Sequence, residues 1–130
     1  MFGDWFTRYK DWPCKDILDL DTVDAGVHVE VMQELENGSD FDFLLFHISG
    51  VDFSGHSYSS YHSELTRKLI ESERDIAELI EKMDNDTTLV VFGDHGMTTT
   101  GSHGGSSENE IRTTLFAYQK TPMAFGKGYR

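Results

Sequence analysis

Hydrophobic residues recur every four positions near the start of the chain and predict a first helix over residues 21–35. Side chains four residues apart lie on the same face of an α-helix, which gives such a segment one apolar side. The apolar positions on this face are Val23, Val27, Val31 and Leu35. The following Asn37-Gly38 pair predicts the end of the helix.

Three apolar runs have the length of strands and are too short for typical helices. Residues 41–49 (FDFLLFHIS) predict a buried strand, residues 87–92 (TTLVVF) a second strand, and residues 113–118 (TTLFAY) a third. Two segments rich in glycine, serine and histidine, 50–62 and 93–107, predict loops.

A second amphipathic helix separates the first two strands. Ser63 is its predicted N-cap, and Glu64 is favourable in the first turn. Its apolar face is formed by Leu65, Leu69, Ile76, Ile80 and Met83. Strands that alternate with amphipathic helices predict an α/β fold with a mostly parallel sheet covered on both faces.

Composition narrows the class of protein. Hydrophobic residues make up 38% of the chain, aromatic residues 12%, and there are 2 prolines, which favours a folded domain over disorder. No apolar run reaches the roughly 20 residues of a membrane-spanning helix, and the first residues lack the pattern of a signal peptide. The single cysteine, Cys14, excludes an internal disulfide framework and a cysteine-rich zinc site.

The charge balance argues against one class of partner. The chain has 11 Lys and Arg residues against 23 Asp and Glu residues, a formal net charge of -12. Proteins bind phosphate backbones through Lys and Arg, so we expect no nucleic-acid partner. An acidic excess favours solubility, or a field that bound cations partly offset.

Residues that can bind a metal are concentrated in the two loops that follow strands. Ligands of open α/β sheets bind beyond the carboxyl ends of the strands. Asp52 and His56 lie in the first loop, spaced so that both can turn toward one ion. Asp94, His95 and His103 lie in the second loop, where neighbouring glycines allow them to approach one centre. Carboxylate oxygen combined with imidazole nitrogen suits zinc better than calcium or magnesium.

Each of these residues has a simpler interpretation when it is taken alone. An aspartate after a strand is more often a turn former or a helix cap, and a single histidine is more often a core or surface residue. We expect His47 to be a core histidine, and His28 and His62 to have structural roles. The metal hypothesis depends on the combination of three histidines and two aspartates at strand exits.

These segments also resemble a known family. Residues 43–56, which end in Gly-His, and residues 93–105, which contain GDHGMT and GSHGG, resemble the alkaline phosphatase superfamily. More narrowly they are similar to the GPI ethanolamine phosphate transferases, and residues 19–24 (DLDTVD) to a segment of the third-mannose type. The resemblance covers about residues 16–118. It implies that residues 1–130 are the C-terminal half of a metal-dependent phosphotransferase catalytic domain with an α/β/α sandwich fold.

The resemblance implies two zinc ions. Asp52, His56 and His103 match the ligands of the first ion, and Asp94 and His95 match two ligands of the second. Three protein ligands leave a position open for substrate, and paired metals can stabilise a transferring phosphoryl group. The family takes its threonine nucleophile and a further aspartate ligand from strands upstream, so no catalytic nucleophile is assigned in this chain.

The implied activity is transfer of phosphoethanolamine from phosphatidylethanolamine to a mannose of the GPI precursor. The resemblance places it at the endoplasmic reticulum membrane, with a lumenal catalytic domain, further membrane segments and an accessory membrane subunit. The chain would then be a fragment that is inactive alone. Two alternatives stay open: a soluble phosphodiesterase or phosphatase of the same superfamily, and a non-catalytic metal-binding module.

Overall fold

Helices and a short strand pair make up the part of the chain that the structure, a computed structural model, describes: residues 19–38 and 41–122. The elements there are α1 (Thr22–Glu36), α2 (Gly50–Tyr58), α3 (Ser63–Lys82), β1 (Leu89–Phe92), α4 (Glu108–Ile111) and β2 (Leu115–Tyr118). Helices and strands are both present, which confirms the α/β character. Cys14 lies outside the described residues.

Helix α1 forms where the four-residue spacing predicts it. Its last turn is closed by the backbone N–H of Asn37, which donates to the Gln33 carbonyl at 3.0 Å. Gly38 follows with a φ of +61°, a left-handed conformation that favours glycine and ends the helix. The predicted end at Asn37-Gly38 is therefore confirmed.

The segment after residue 49 is a helix, so the predicted loop over residues 50–62 is wrong for most of its length. Helix α2 begins at Gly50 because the Asp24 carboxylate of α1 accepts hydrogen bonds from the backbone N–H groups of Ser49 and Gly50. It ends at Tyr58, and Ser59 follows with a φ of +79°. A support that comes from 25 residues away leaves no local signal in the sequence.

Helix α3 starts at the predicted place but with a different cap. The side chain of His62, rather than that of Ser63, accepts a hydrogen bond from the Glu64 N–H at 3.2 Å. The predicted apolar face is only partly buried: Met83 is 5% exposed, whereas Leu69 is 52% exposed.

The sheet in the described residues consists of β1 and β2, which pair antiparallel. Leu89 lies opposite Tyr118 and Phe92 opposite Leu115. Both strands occur where the apolar runs predict them. The sheet of the described residues contains only these two antiparallel strands, so the predicted mostly parallel sheet is not seen in that part of the chain.

Residues 41–49 do not form the predicted buried strand. The segment has no strand partner among the described residues, and a strand is held by hydrogen bonds to a neighbour. Phe43 is 70% exposed and Leu45 58% exposed. His47 is also exposed, so the expectation of a core histidine is wrong.

The described core lies between α1 and α3. Val31 and Met32 of α1 are buried against Leu79 of α3, and Val27 and Leu35 pack around them. None of the described helices is long and apolar enough to cross a membrane.

Candidate metal centre

Helix α2 presents two predicted ligands on one face. Asp52 and His56 are four residues apart, and side chains at this spacing are neighbours on a helix. The Nε2 atom of His56 lies 3.5 Å from Oδ2 of Asp52. A loop was expected to bring these residues together, and a helix turn does so with a more rigid backbone.

His103 reaches the same place from the loop after β1. Its Nε2 atom lies 3.4 Å from Oδ1 of Asp52, and its ring centroid is 4.9 Å from that of His56. One ligand atom from each of the three residues lies within 4.8 Å of the other two. The side chains are about two-thirds buried, so the cluster is open to solvent on one side.

The backbone around Gly101 fixes how closely this loop approaches α2. Gly101 has a φ of +81°, and a Cβ at this position would collide with the Gly55 carbonyl. The turn is closed by hydrogen bonds from Thr98 N to Ser102 O at 2.8 Å and from Ser102 N to the Thr98 hydroxyl at 3.0 Å. The Ser60 hydroxyl also donates to the Thr98 carbonyl at 2.7 Å. These contacts place His103 next to α2.

The other two predicted ligands lie next to this cluster. The His95 ring stacks on that of His103, with centroids 3.7 Å apart and planes at 21°. Asp94 Oδ1 lies 3.7 Å from Nε2 of His95, and the Asp94 side chain is 64% exposed. Nδ1 of His95 lies 2.9 Å from the Gly96 carbonyl. Histidines that bind metals commonly donate one ring N–H to such a carbonyl and leave the other nitrogen for the ion.

Glu110 holds the far end of the same loop. Its carboxylate accepts a hydrogen bond from the Gly105 N–H at 2.8 Å and contacts the Ser107 hydroxyl, which completes the N-terminal cap of α4. The Ser107 hydroxyl and then the Gly105 N–H lower the pKa of Glu110 below its ordinary value. The loop that carries His103 is therefore anchored on both sides.

The donor atoms suit a zinc ion. Catalytic zinc sites commonly combine histidine nitrogens with a carboxylate and keep one position open. Oδ1 of Asp52 is buried and has no hydrogen-bond partner among the described residues. Such a group normally has a partner, and a cation would satisfy it.

Beneath α2 lies an ion pair that sequence reasoning missed. Asp24 is 6% exposed and Lys68 is 2% exposed, and Nζ of Lys68 lies 3.0 Å from Oδ2 of Asp24. Burial lowers the pKa of Lys68, but hydrogen bonds to Glu71 and Asp24 outweigh this effect and raise it. In the sequence, both residues look like charged positions on the solvent side of a helix.

Three histidines lie outside the candidate centre. His28 pairs with Glu78 at 3.2 Å across α1 and α3, and His62 caps α3. Both therefore have the structural roles that were expected, whereas His47 is exposed.

Comparison of the sequence with known families shows which family the chain belongs to. The sequence model described as type I phosphodiesterase / nucleotide pyrophosphatase matches residues 5–115. The chain belongs to this phosphodiesterase family. The match includes every residue of the candidate centre.

Curated relatives of the chain carry more specific names. The chain is 41% identical over 123 residues to the Homo sapiens protein named GPI ethanolamine phosphate transferase 3, catalytic subunit; this is 95% of the chain and 11% of that protein. It is 40% identical over 107 residues to GPI ethanolamine phosphate transferase 3 of Saccharomyces cerevisiae, 82% of the chain and 10% of that protein. It is 35% identical over 112 residues to GPI ethanolamine phosphate transferase 2 of Kluyveromyces lactis, 86% of the chain and 14% of that protein.

These names confirm the resemblance to the GPI ethanolamine phosphate transferases. The chain spans about a tenth of the length of the type 3 relatives. No solved structure matches it.

Proposed function

We propose that the chain carries a metal-binding part of a GPI ethanolamine phosphate transferase. The complete protein would transfer phosphoethanolamine from phosphatidylethanolamine to a mannose of the GPI precursor. The observation that carries this proposal is that ligand atoms of Asp52, His56 and His103 lie within 4.8 Å of one another. The chain that holds them is 41% identical to the Homo sapiens protein named GPI ethanolamine phosphate transferase 3, catalytic subunit.

The five predicted ligands would divide between two zinc ions. Asp52, His56 and His103 would hold the first, and Asp94 and His95 would contribute to the second. Bound zinc supplies Lewis-acid stabilisation of the charge on phosphoryl oxygens. The contribution of the chain is to hold the ligand atoms: α2 fixes two of them, and the anchored loop after β1 fixes the others. No residue of this chain is assigned as the nucleophile.

The fold and setting of the complete protein belong to the same proposal. Residues 1–130 would be the C-terminal half of an alkaline-phosphatase-like α/β/α sandwich, and further strands would complete a mostly parallel sheet. The catalytic domain would lie in the lumen of the endoplasmic reticulum, in a membrane-anchored protein. The words "catalytic subunit" in the name of the Homo sapiens relative support an accessory subunit.

A segment exchange tests this function. The matching 107-residue segment of the Saccharomyces cerevisiae relative is replaced by that of this chain, and GPI precursors are analysed by mass spectrometry in cells that lack the native protein. We expect phosphoethanolamine to be restored on the GPI precursor. A matched pair of variants is compared in the exchanged segment: His56→Ala removes a predicted ligand, and His28→Ala removes a histidine outside the centre. Loss in the first and retention in the second support the proposal; equal activity in both contradicts it.

The family description favours a second candidate, a phosphodiesterase that hydrolyses its substrate. The purified chain is incubated with zinc and a chromogenic phosphodiester. If the transferase proposal is right, we expect no turnover, because the threonine nucleophile would come from a part of the protein outside residues 1–130. Turnover that is abolished by Asp94→Ala would favour the phosphodiesterase.

A further inference from the structure

The start of α2 is supported by a carboxylate from another helix. Oδ1 of Asp24 accepts hydrogen bonds from the backbone N–H of Ser49 at 2.9 Å and of Gly50 at 3.1 Å. The first N–H groups of a helix have no partner within the helix, and the Ser49 side chain supplies no cap here. A negative charge at this end also interacts favourably with the helix dipole.

Lys68 of α3 holds that carboxylate from the other side. Its ammonium group lies 3.0 Å from Asp24, 3.0 Å from Glu71 and 3.3 Å from Asp21. Arg67 bridges the two outer carboxylates, at 3.0 Å from Asp21 and 2.6 Å from Glu71. The network thereby joins the beginning of α1, the beginning of α2 and the first half of α3.

We propose that the Asp24–Lys68 pair positions the metal-binding face of α2. The inference depends on the metal centre proposed above. Asp52 lies two residues after Gly50, and His56 lies one turn further along the same helix. A shift of the helix start therefore moves both ligands relative to His103, which a separate loop holds.

The chemistry of the pair fits positioning better than stabilisation alone. A buried ion pair is a weak stabiliser, because removing both charges from water offsets much of their attraction. Its hydrogen bonds are directional, however, and those from Ser49 and Gly50 fix where α2 begins. Neither Asp24 nor Lys68 is among the candidate ligands, so both are positioning residues.

Metal titration of the 130-residue chain tests the proposal. Affinity is measured with Zn²⁺ alone in competition with a chelator, and the ligand geometry is followed by the visible spectrum of bound Co²⁺. Asp24→Asn keeps the side-chain shape but directs an amide at the Lys68 ammonium, and Lys68→Met removes the cation. We expect both to weaken binding by about 10- to 100-fold and to change the Co²⁺ spectrum.

Two further variants separate positioning from general stability. Lys68→Arg keeps the charge and is expected to recover part of the affinity that Lys68→Met loses. Lys82 lies on the same helix as Lys68 and forms an exposed ion pair with Glu36 of α1. Lys82→Met removes this pair and should leave the zinc affinity and the Co²⁺ spectrum unchanged.

Gly50→Ala disturbs the contact between Asp24 and the start of α2 by a change in α2 itself. A Cβ on Gly50 would collide with the Asp24 carboxylate, the Lys68 side chain and the Leu20 carbonyl. Alanine favours helix formation more than glycine does, so helix content by circular dichroism should not fall. We expect weaker metal binding at unchanged helix content, and this variant decides the question if Asp24→Asn does not fold.

The outcomes distinguish the two proposals. Wild-type affinity and an unchanged Co²⁺ spectrum in Asp24→Asn, or in Gly50→Ala where Asp24→Asn does not fold, overturn the positioning role while the metal centre stands. If Asp52→Asn takes up zinc as the unaltered chain does, the metal centre itself is wrong.

Discussion

The imidazole rings of His95 and His103 stack with their centroids 3.7 Å apart. His95 lies three residues after the end of β1, whereas His103 is eight residues further along and lies against Asp52 of α2. The stack therefore connects the two sets of predicted ligands, one for each proposed ion. Through this contact the segment that follows β1 lies next to the face of α2 that carries Asp52.

Loss of a predicted ligand should strongly weaken zinc binding. We expect Asp52→Asn and His103→Ala each to lower zinc affinity more than about 100-fold, since ligand loss costs more than the 10- to 100-fold typical of supporting contacts. Equilibrium dialysis followed by metal analysis measures the effect. His28→Ala is the control, because its ring pairs with Glu78 away from the centre. Equal zinc content in the ligand variants and the control would contradict the assignment.

Gly101 should be more sensitive to substitution than another glycine of the same loop. Gly101 and Gly104 both have positive φ values, +81° and +96°, so alanine strains the backbone at either by about 1 kcal/mol. Only at Gly101 would the new Cβ collide with α2, which adds about 1–3 kcal/mol. Urea unfolding should show Gly101→Ala to be the less stable variant, and it should also bind zinc more weakly. Equal effects of the two substitutions would argue against a tight contact between loop and helix.

The charge network should make stability depend on pH at both extremes. The Lys68 hydrogen bond lowers the pKa of Glu71 below its ordinary 4.5, so the stability it contributes is present above about pH 4.5 and is lost as pH falls through the lowered value. The pKa of Lys68 is raised above 10.5, because carboxylate hydrogen bonds outweigh its burial. Its contribution is complete below about pH 10.5 and is lost at higher pH.

Substitution of Glu71 tests the acid side of this dependence. Glu71→Gln should flatten the fall in the free energy of unfolding between about pH 5 and pH 3, measured by urea titration at each pH. Glu73→Gln changes an exposed carboxylate on the same helix and serves as the control. A steeper acid dependence in Glu71→Gln than in the unaltered chain would show that the sign is wrong.

Local pattern was enough to predict most elements of the fold. Helix α1 follows from valines at four-residue spacing, and β1 and β2 follow from short β-branched and apolar runs. Residues 41–49 show the limit of this reasoning, since an apolar run indicates burial but does not supply a neighbouring strand. Helix α2 was missed because its support, Asp24, is distant in sequence.

The candidate site was predictable from residue type and the resemblance, but its supports were not. Asp52, His56 and His103 are all ligand types in glycine-rich surroundings, and the structure brings them together. Lys68 is one of many charged residues on an amphipathic helix, and nothing in its local sequence distinguishes a buried lysine from a solvated one. Burial of a charge depends on which carboxylates surround it, which is a property of the tertiary structure.

Exposed apolar side chains should make the isolated chain self-associate despite its net charge of -12. Phe43 and Leu115 are each 70% exposed and Phe92 is 58% exposed, and an antiparallel pair of strands leaves open edges. Contiguous exposed apolar surface promotes association, so we expect concentration-dependent oligomers by sedimentation velocity and strong binding of a hydrophobic dye. Leu115→Ser should reduce both signals, whereas Ser106→Ala, at an exposed polar position, should not. A monomer at all concentrations that melts in one sharp transition would contradict this prediction.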